Sequence, residues 1–230
     1  DMATAGRSVL YVSGEESPHQ IKLRSQRLGF AGKGIFLLSE TDVDVVVDRL
    51  EEHRPGLAII DSVQTLYSRD TPSGPGSVAQ IREAGLRLMR WSKARQTPVF
   101  LAGHVTKDGS VAGPKVLEHM VDVVTYLESQ EYGAFRLLRC AKNRFGSTAE
   151  VGVFEMSGAG LVEVVDPSKT LLAQRYDQAV GSALVTVLEG SRPLVLEVQA
   201  LTSFSHLPSP RRVANGVDHN RLLMLTAVAG

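Results

Sequence analysis

The stretch Gly56-Leu-Ala-Ile-Ile-Asp-Ser-Val-Gln-Thr65 decides the fold class of this chain. Four apolar residues, at positions 57–60, follow one another without polar alternation and end on the carboxylate of Asp61. Short apolar runs of this kind are typical of strands in parallel sheets, which helices cover on both faces. The run therefore predicts a parallel strand that is buried on both faces. Asp61 would then lie at the carboxyl edge of the sheet, where open α/β sheets bind their ligands.

An acidic residue at the end of such a strand has two interpretations. In nucleotide hydrolases, this residue holds Mg²⁺, either directly or through water. Alternatively, Asp61 only caps a turn through Ser62, as Asp and Ser do in many loops. The stretch by itself leaves both interpretations open.

The composition is that of an ordinary globular protein, and it narrows the range of partners. The chain has 230 residues, of which 43% are hydrophobic and 22% are charged, enough for one or two domains. Because 25 basic and 25 acidic residues balance, a nucleic acid must be bound by a local basic patch and not by net charge. The single Cys140 excludes an internal disulfide or a cysteine zinc site and fits a reducing compartment. No signal peptide or long apolar run is seen, so we expect a cytoplasmic protein without a membrane partner.

Strand and helix patterns alternate through the first hundred residues. Further apolar strands are predicted at residues 8–13, 34–39 and 98–104. Ser17 and Gln20 form a capping-box pattern before a first helix, and Thr41 is expected to cap a second helix. This alternation predicts an α/β fold with a doubly wound, mostly parallel sheet.

Polar residues follow two other predicted strands at the same edge as Asp61. Glu15 and Glu16 come after the first strand, where a glutamate can orient or deprotonate a water that attacks a phosphate. Alternatively, both are solvated acids at a helix start. His104 ends its strand, and it either senses a γ-phosphate or is an ordinary hydrogen-bonded histidine. Because the carboxyl ends of parallel strands share one edge, we expect Glu15, Asp61 and His104 to converge.

Two loops and two basic segments are candidates for binding anions. Residues 67–77, which include two prolines and two glycines, predict a flexible loop, and residues 105–114 predict a second one. A helix at about residues 78–95 carries a basic face, which either binds nucleic acid or is simply solvated. Lys142-Asn-Arg-Phe-Gly146 places two cations on a turn after a strand, and this turn either binds phosphates or is solvated.

The pattern changes in the last third of the chain. Hairpin strands at 121–128 and 135–141 lead into an antiparallel meander that ends near residue 165. Asp166-Pro-Ser-Lys169 then predicts a domain boundary, which divides the chain into residues 1–168 and 169–230. A second hairpin at 183–199 and a helix from Asp218 follow this boundary.

Five stretches of the chain resemble the bacterial RadA (Sms) family of DNA-repair proteins, which are RecA-like ATPases. They are Leu10-Tyr-Val-Ser-Gly-Glu-Glu-Ser17, Ala58-Ile-Ile-Asp-Ser-Val-Gln-Thr65, Gly103-His-Val-Thr-Lys-Asp-Gly109, Gly113-Pro-Lys-Val-Leu-Glu-His119 and Lys142-Asn-Arg-Phe-Gly146, the last being the family's signature. The resemblance covers nearly the whole chain. Residues 1–168 resemble the RecA-like core, with antiparallel strands at one edge, and residues 169–230 resemble the truncated start of a Lon-protease-like α+β domain.

The resemblance implies an ATPase that uses ATP and Mg²⁺ and forms a homo-hexameric ring on single-stranded DNA. It also implies a translocase that acts on branched recombination intermediates alongside a recombinase such as RecA. Carried over by motif, Glu15 resembles the glutamate that activates water, Asp61 resembles the Walker B acid near Mg²⁺, and His104 occupies the sensor position.

The remaining roles that the resemblance implies concern contacts outside one subunit. Lys142 and Arg144 resemble residues that reach the nucleotide of a neighbouring subunit, which makes the active site composite. Lys107 lies in a loop like those that contact DNA in RecA relatives, and residues 67–77 resemble the other such loop. Lys115, in the next matching stretch, is also assigned to DNA binding.

Two features of the family have no counterpart in this sequence. The N-terminal four-cysteine zinc finger, the only zinc site of the family, is absent, and G-x-x-x-x-G-K-[ST], the Walker A loop that cradles phosphates, occurs nowhere. We therefore expect an internal fragment of a RadA protein that is inactive alone, with ATP hydrolysis belonging to the full-length parent. The alternative is a nucleotide-independent scaffold module that binds DNA or protein. A Lon-type peptidase would need a Ser–Lys dyad, which lies further downstream in Lon.

Overall fold

The computed structural model describes residues 7–104, 112–129, 135–172, 180–206 and 211–229. The first half contains β1 (Val9–Ser13), α1 (Pro18–Arg27), β2 (Ile35–Ser39), α2 (Val43–His53), β3 (Leu57–Asp61), a 3₁₀ turn (Val63–Thr65), α3 (Val78–Arg95) and β4 (Val99–Leu101). The second half contains α4 (Ala112–Met120), β5 (Val123–Ser129), β6 (Phe135–Asn143), β7 (Val151–Ser157), β8 (Gly160–Glu163), α5 (Pro167–Leu172), β9 (Ser182–Glu189), β10 (Arg192–Gln199) and α6 (His219–Ala229).

The first four strands form a parallel sheet in the order β2-β1-β3-β4, which confirms the predicted strand–helix alternation. β1 lies between β2 and β3, and its last residue, Ser13, is opposite Asp61. The carboxyl ends of β1 and β3 therefore lie side by side, and Asp61 is at the edge where the sequence predicted it.

The capping residues of the helices agree with the prediction for α1 and correct it for α2. Ser17 and Gln20 form the predicted capping box at the start of α1. The residue that caps α2 is Asp42 and not Thr41, because the Asp42 carboxylate accepts a hydrogen bond from the Asp44 amide at 3.0 Å. Thr41 instead accepts a bond from the amide of Tyr67 through its carbonyl oxygen at 2.8 Å.

One face of the parallel sheet packs against α2 and α3. The core cluster on this face contains Leu10, Val12, Ala58 and Ile60 from the strands, Val43, Val46, Leu50, Ala84, Leu88 and Trp91 from the helices, and Leu66. The four strand residues stand at every second position of β1 and β3. The apolar side of each helix thus meets one side of the pleated strands, as the sequence periodicity requires.

The other face of the sheet is covered in part: Val9 and Leu57 are buried there, as the apolar run predicted, but the residues beyond them are more open. Ile59 is only partly buried, and Leu37 and Phe100, which lie on the same face by register, are 41% and 62% exposed. β4 also ends at Leu101, three residues before His104, so the strand does not end on the histidine. Within the described residues, no strand pairs with the second edge of β4.

An antiparallel sheet in the order β5-β6-β7-β8 follows, which confirms the predicted hairpin and meander. Among the described residues these strands form a sheet of their own and do not extend an edge of the parallel sheet. Leu137, Val151, Val153 and Val164 form its small core. α4, which precedes β5, packs against α3 at Gly85, where a Cβ atom would lie 2.6 Å from Leu117 Cδ2. Only a glycine allows the two helices to approach this closely.

The predicted hairpin in the last third is formed by β9 and β10. β10 packs against α5, and the Val195 amide donates to Ser168 Oγ at 3.1 Å. The predicted domain boundary at residues 166–169 falls at the start of α5, and the division into two domains stays a prediction. No helix in the part of the chain that the structure describes is long and apolar enough to cross a bilayer.

Candidate functional site

The turn between β1 and α1 carries Glu15, and backbone contacts fix its shape. The buried Ser13 hydroxyl donates to the Glu16 carbonyl at 2.8 Å and accepts from the Glu16 amide at 3.1 Å. The Gly14 amide donates to the Asp61 carbonyl at 2.9 Å. The turn is therefore attached to the end of the neighbouring strand, and Glu15 is held beside Asp61.

Gly14 is a point of close contact between this turn and the 3₁₀ turn that follows Asp61. A Cβ atom at position 14 would lie 1.9 Å from Thr65 Oγ1 and 2.7 Å from Thr65 Cβ. The Thr65 hydroxyl cannot easily move away, because it donates to the Ser62 carbonyl at 2.7 Å. Glycine at this position lets the two functional turns interlock.

Two side chains from other segments contact the Glu15 carboxylate. The Ser62 hydroxyl, which is fully buried, donates to Glu15 Oε1 at 2.6 Å. His104 Nε2 lies 3.3 Å from the same oxygen, so the structure brings together two residues that were predicted to converge. The side chains of Glu15 and His104 are 43% and 67% exposed, which leaves the carboxylate accessible to water.

Asp61 has a different hydroxyl partner. The Tyr11 hydroxyl, from the central strand β1, donates to Asp61 Oδ2. Burial raises the pKa of Tyr11 to about 12, and the hydrogen bond to Asp61 contributes to the same shift. Asp61 Oδ1 has no hydrogen-bond partner among the described residues, and the Asp61–Ser62 peptide bond is cis.

The residues at this edge suit a hydrated magnesium ion. The described ranges contain no group of three His, Cys, Asp or Glu side chains that could hold a metal ion. Mg²⁺ does not need such a cage, because it keeps several waters and is bound by one or two carboxylates plus substrate phosphates. The unpaired Oδ1 of Asp61 fits that requirement. The sequence offers no Walker A loop as a cradle for the phosphates.

Gln64 anchors the backbone beside His104. Its Nε2 donates to the His104 carbonyl at 3.1 Å, which links the 3₁₀ turn after β3 to the segment after β4. Gln64 Oε1 is buried and has no hydrogen-bond partner within the described part of the chain. Gly103 lies against this amide, since a Cβ there would be 3.3 Å from Gln64 Nε2.

Lys142 lies near the end of β6 and contacts α4, whereas Arg144 follows β6 and contacts the segment between α4 and β5. Lys142 Nζ donates to the Glu118 carbonyl at 2.6 Å, and Arg144 Nη1 lies 2.8 Å from Asp122 Oδ1. Among the described contacts, neither cation touches Glu15, Asp61 or His104. The Glu118 side chain accepts a bond from the Tyr126 hydroxyl, and this bond raises the pKa of Tyr126.

The structure describes one of the two candidate DNA-binding lysines. Lys107 lies outside the described residues. Lys115 is on α4, is exposed, and forms no ion pair within the described ranges. Of the basic residues on α3, Arg87 pairs with Asp44, Asp70 and Glu83, and Arg95 pairs with Glu51, so part of the basic face serves the fold.

The loop at residues 67–77, predicted to be flexible, is tied down by one buried side chain. Gln80 Oε1 accepts from the Ser68 amide at 2.7 Å, and its Nε2 donates to three loop carbonyls, those of Ser68, Thr71 and Ser73, at 2.8–3.1 Å. Gln80 is only 2% exposed. The prediction of flexibility rested on the prolines and glycines and missed this amide.

Sequence reasoning missed three residues of the site, namely Tyr11, Ser62 as a partner of Glu15, and Gln64. A signal was available for Tyr11. It precedes Ser13 by two positions and therefore shares its face of the strand, and parallel pairing brings that face beside Asp61. No local signal identifies Ser62 or Gln64, because their partners lie 47 and 40 residues away along the chain.

Comparison with known proteins finds curated relatives along almost the whole chain. The chain is 48% identical over 227 residues to DNA repair protein RadA of Bacillus subtilis (strain 168), and this alignment covers 99% of the chain and 50% of that protein. It is 44% identical over 227 residues to DNA repair protein RadA of Listeria monocytogenes, with the same coverage. The chain thus spans about half the length of the curated relatives it matches. No protein-family model matches it.

Two solved structures share the fold. A KaiC-like protein, PH0186 of Pyrococcus horikoshii OT3, superposes with a TM-score of 0.54 at 17% identity, covering 70% of this chain and 76% of that one. The RadB recombinase superposes with a TM-score of 0.52 at 18% identity, covering 70% of this chain and 81% of that one. The RecA-like α/β fold class is thereby confirmed. The predicted resemblance is confirmed as well: this chain is a homologue of the bacterial DNA repair proteins RadA, matched along 99% of its own length and about half of theirs.

Proposed function

We propose that a RadA protein carrying this chain is a DNA-dependent ATPase of recombinational DNA repair. The observation that carries the proposal is that Glu15 and Asp61 both lie at the carboxyl edge of the parallel sheet. They lie on adjacent strand ends, and each carboxylate has its own hydroxyl partner. One acid for a metal and one for water is an arrangement that suits phosphoryl hydrolysis.

In this proposal Glu15 orients and activates the attacking water. The Ser62 hydroxyl holds Oε1 of Glu15 and leaves Oε2 for the water, since Oε2 has no partner among the described residues. His104, at 3.3 Å from Oε1, senses the γ-phosphate and transmits its position through the Gln64 link. Mg²⁺ bound with ATP neutralises the phosphate charge, and Asp61 would hold it through Oδ1 or a bound water.

The remaining roles concern the assembly. Lys142 and Arg144 reach the nucleotide of a neighbouring subunit in a homo-hexameric ring, so that hydrolysis depends on assembly. Lys107 and Lys115, near one another in sequence, contact the phosphates of single-stranded DNA, and the ring translocates on branched intermediates alongside a recombinase. The RecA-like core is residues 1–168, and residues 169–230 begin a Lon-like domain.

The test of the proposal is phosphate release by a full-length RadA protein carrying this sequence, with and without single-stranded DNA. Glu15→Gln is expected to lower turnover at least 100-fold with ATP binding retained, because general-base catalysis contributes about 10²–10⁴-fold. Asp61→Asn is expected to abolish Mg²⁺-dependent hydrolysis. Asp48→Asn, on the exposed side of α2, is the matched control and should behave as the parent protein does. The proposal is contradicted, and a scaffold module is favoured, if single-stranded DNA does not stimulate hydrolysis or if hydrolysis persists in both the Glu15→Gln and the Asp61→Asn variant.

The composite site has its own test. When Arg144→Ala subunits are mixed with Asp61→Asn subunits, some interfaces contain neither defect, and partial activity is expected to return. Activity that stays absent at every mixing ratio would mean that Arg144 serves its own subunit, as its bond to Asp122 already does.

A further inference from the structure

We propose that Tyr11 is a positioning residue for Asp61: its hydroxyl holds Oδ2 and thereby directs Oδ1 toward Mg²⁺. The inference deepens the proposed function and rests on it. It starts from the hydrogen bond between Tyr11 and Asp61, which joins two residues 50 positions apart.

The geometry of this bond follows from the strand register. Tyr11 is opposite Ile59 in the parallel pair, and Asp61 is two residues beyond Ile59. Side chains two apart on a strand share a face, so Tyr11 and Asp61 lie on the same side of the sheet. A tyrosine ring is long enough to bridge this offset of two residues, whereas a serine or threonine at the same position is not.

The backbone on which Tyr11 sits is held on both sides. β1 is paired with β2 at Leu37 and with β3 at Ile59, so the Cα of Tyr11 is fixed by two neighbouring strands. The phenol has two rotatable bonds, and the residue is partly buried. The hydroxyl is therefore a rigid donor, and a carboxylate that accepts from a rigid donor loses its freedom to rotate.

The bond divides the two oxygens of Asp61 between two tasks. Oδ2 accepts from the phenol, and Oδ1 has no hydrogen-bond partner among the described residues. Carboxylates that bind metals are themselves usually hydrogen-bonded, and loss of such a partner typically costs 10–100-fold in metal affinity or activity. A phenol suits this role because it donates one bond without neutralising the charge of the carboxylate.

Glu15 is held by a separate hydroxyl, that of Ser62. The two acids can therefore be disturbed one at a time. Loss of the Tyr11 hydroxyl should act on the metal, while loss of the Ser62 hydroxyl should act on turnover. A merely structural role for Tyr11 would not produce this separation.

The experiment measures Mn²⁺ binding to a full-length RadA protein carrying this sequence, with a non-hydrolysable ATP analogue present, by electron paramagnetic resonance. Tyr11→Phe keeps the ring and removes the hydroxyl, and it is expected to weaken Mn²⁺ binding about 10-fold. The matched control is Tyr126→Phe, which removes a tyrosine hydroxyl that donates to a different carboxylate, that of Glu118. The control should shift Mn²⁺ binding less than about 2-fold, and thermal unfolding of each variant checks that it is folded.

Two outcomes overturn the inference, and they are distinguishable from failure of the proposed function. If Asp61→Asn abolishes Mn²⁺ binding but Tyr11→Phe matches the Tyr126→Phe control, Tyr11 only packs against its neighbours. A half-saturating Mg²⁺ concentration for hydrolysis that is unchanged by Tyr11→Phe would lead to the same conclusion. If Asp61→Asn leaves Mn²⁺ binding intact, Asp61 is not the metal acid, and the role proposed for it fails together with the inference, whereas DNA-dependent phosphate release tests the proposed function separately.

Discussion

The two faces of the parallel sheet differ in burial and in chemistry. On the face that packs against α2 and α3, Leu10, Val12 and Ile60 are at most 2% exposed. On the opposite face, Ile59 is only partly buried and Phe100 is 62% exposed. The covered face holds the apolar side chains that stabilise the fold. The open face also buries Val9 and Leu57, and it carries Tyr11 and Asp61, for which we propose a role in metal binding.

The largest expected effect is on the covered face. Ile60→Ala removes a side chain that is 1% exposed and leaves a cavity, and we expect a loss of about 3–4 kcal/mol in the free energy of unfolding. The measurement is urea denaturation of this chain. Ile59→Ala, the adjacent isoleucine on the open face, is the matched control and should cost about 1–2 kcal/mol because part of its surface is already solvated. Equal losses in the two variants would show that both faces contribute equally to stability and would contradict the difference between the faces.

The next effect concerns the loop beside the covered face. Gln80→Ala leaves the Ser68 amide and three loop carbonyls without their buried partner, and we expect a loss of about 2–3 kcal/mol. Faster amide hydrogen exchange at residues 68–73 is the specific measurement. Gln26→Ala, on the exposed side of α1, should change neither quantity. Unchanged exchange in Gln80→Ala would mean that the loop is ordered by something other than this amide.

A pH dependence is expected from the open face. Because the folded-state pKa of Tyr11 is raised to about 12 from 10.0, the folded protein holds this proton more tightly than the unfolded chain. The stability contribution is therefore complete below pH 10 and is lost as the pH rises toward 12. In Tyr11→Phe, the unfolding free energy should decline less over this range. The difference should be smaller than the losses expected for Ile60→Ala and Gln80→Ala. If the unfolding free energies of the parent protein and of Tyr11→Phe decline in parallel over this pH range, the raised pKa of Tyr11 is contradicted.

The smallest effect is expected at Phe100. Its side chain is 62% exposed, so Phe100→Ser should change the unfolding free energy of this chain by less than about 0.5 kcal/mol. Light scattering should show less self-association, because an exposed aromatic side chain is removed. A loss of 2 kcal/mol or more, by contrast, would mean that this part of the face is packed.

Local patterns in the sequence predicted much of the secondary structure, but not the early end of β4 at Leu101 or helix α4, which begins at Ala112 inside the loop predicted at residues 105–114. The capping box at Ser17 and Gln20, the parallel strand ending in Asp61, and the hairpins all follow from neighbouring residues, and the structure contains them. The apolar run at residues 57–60 predicted burial on both faces of the sheet. The composition of a strand cannot show which helices or strands cover each face, so it cannot show how completely that face is buried.

What the sequence could not give were contacts between distant segments. Gln80 binds a loop 7–12 residues away, and Tyr11 reaches Asp61 across 50 residues. Thr41 and Asp42 are both acceptable caps by residue type, and only the bond to the Asp44 amide decides between them. The proximity of Glu15 and His104 was predictable because it required only the rule that parallel strands end at one edge.

The interlocked turns at Gly14 limit the mutations that this position can tolerate. Every amino acid other than glycine carries a Cβ atom, so every substitution at this position places one against Thr65. A library of single-codon variants, selected for survival after DNA damage, should therefore be depleted of every substitution at position 14, including alanine. Neighbouring Glu16, whose side chain is partly exposed, should accept several.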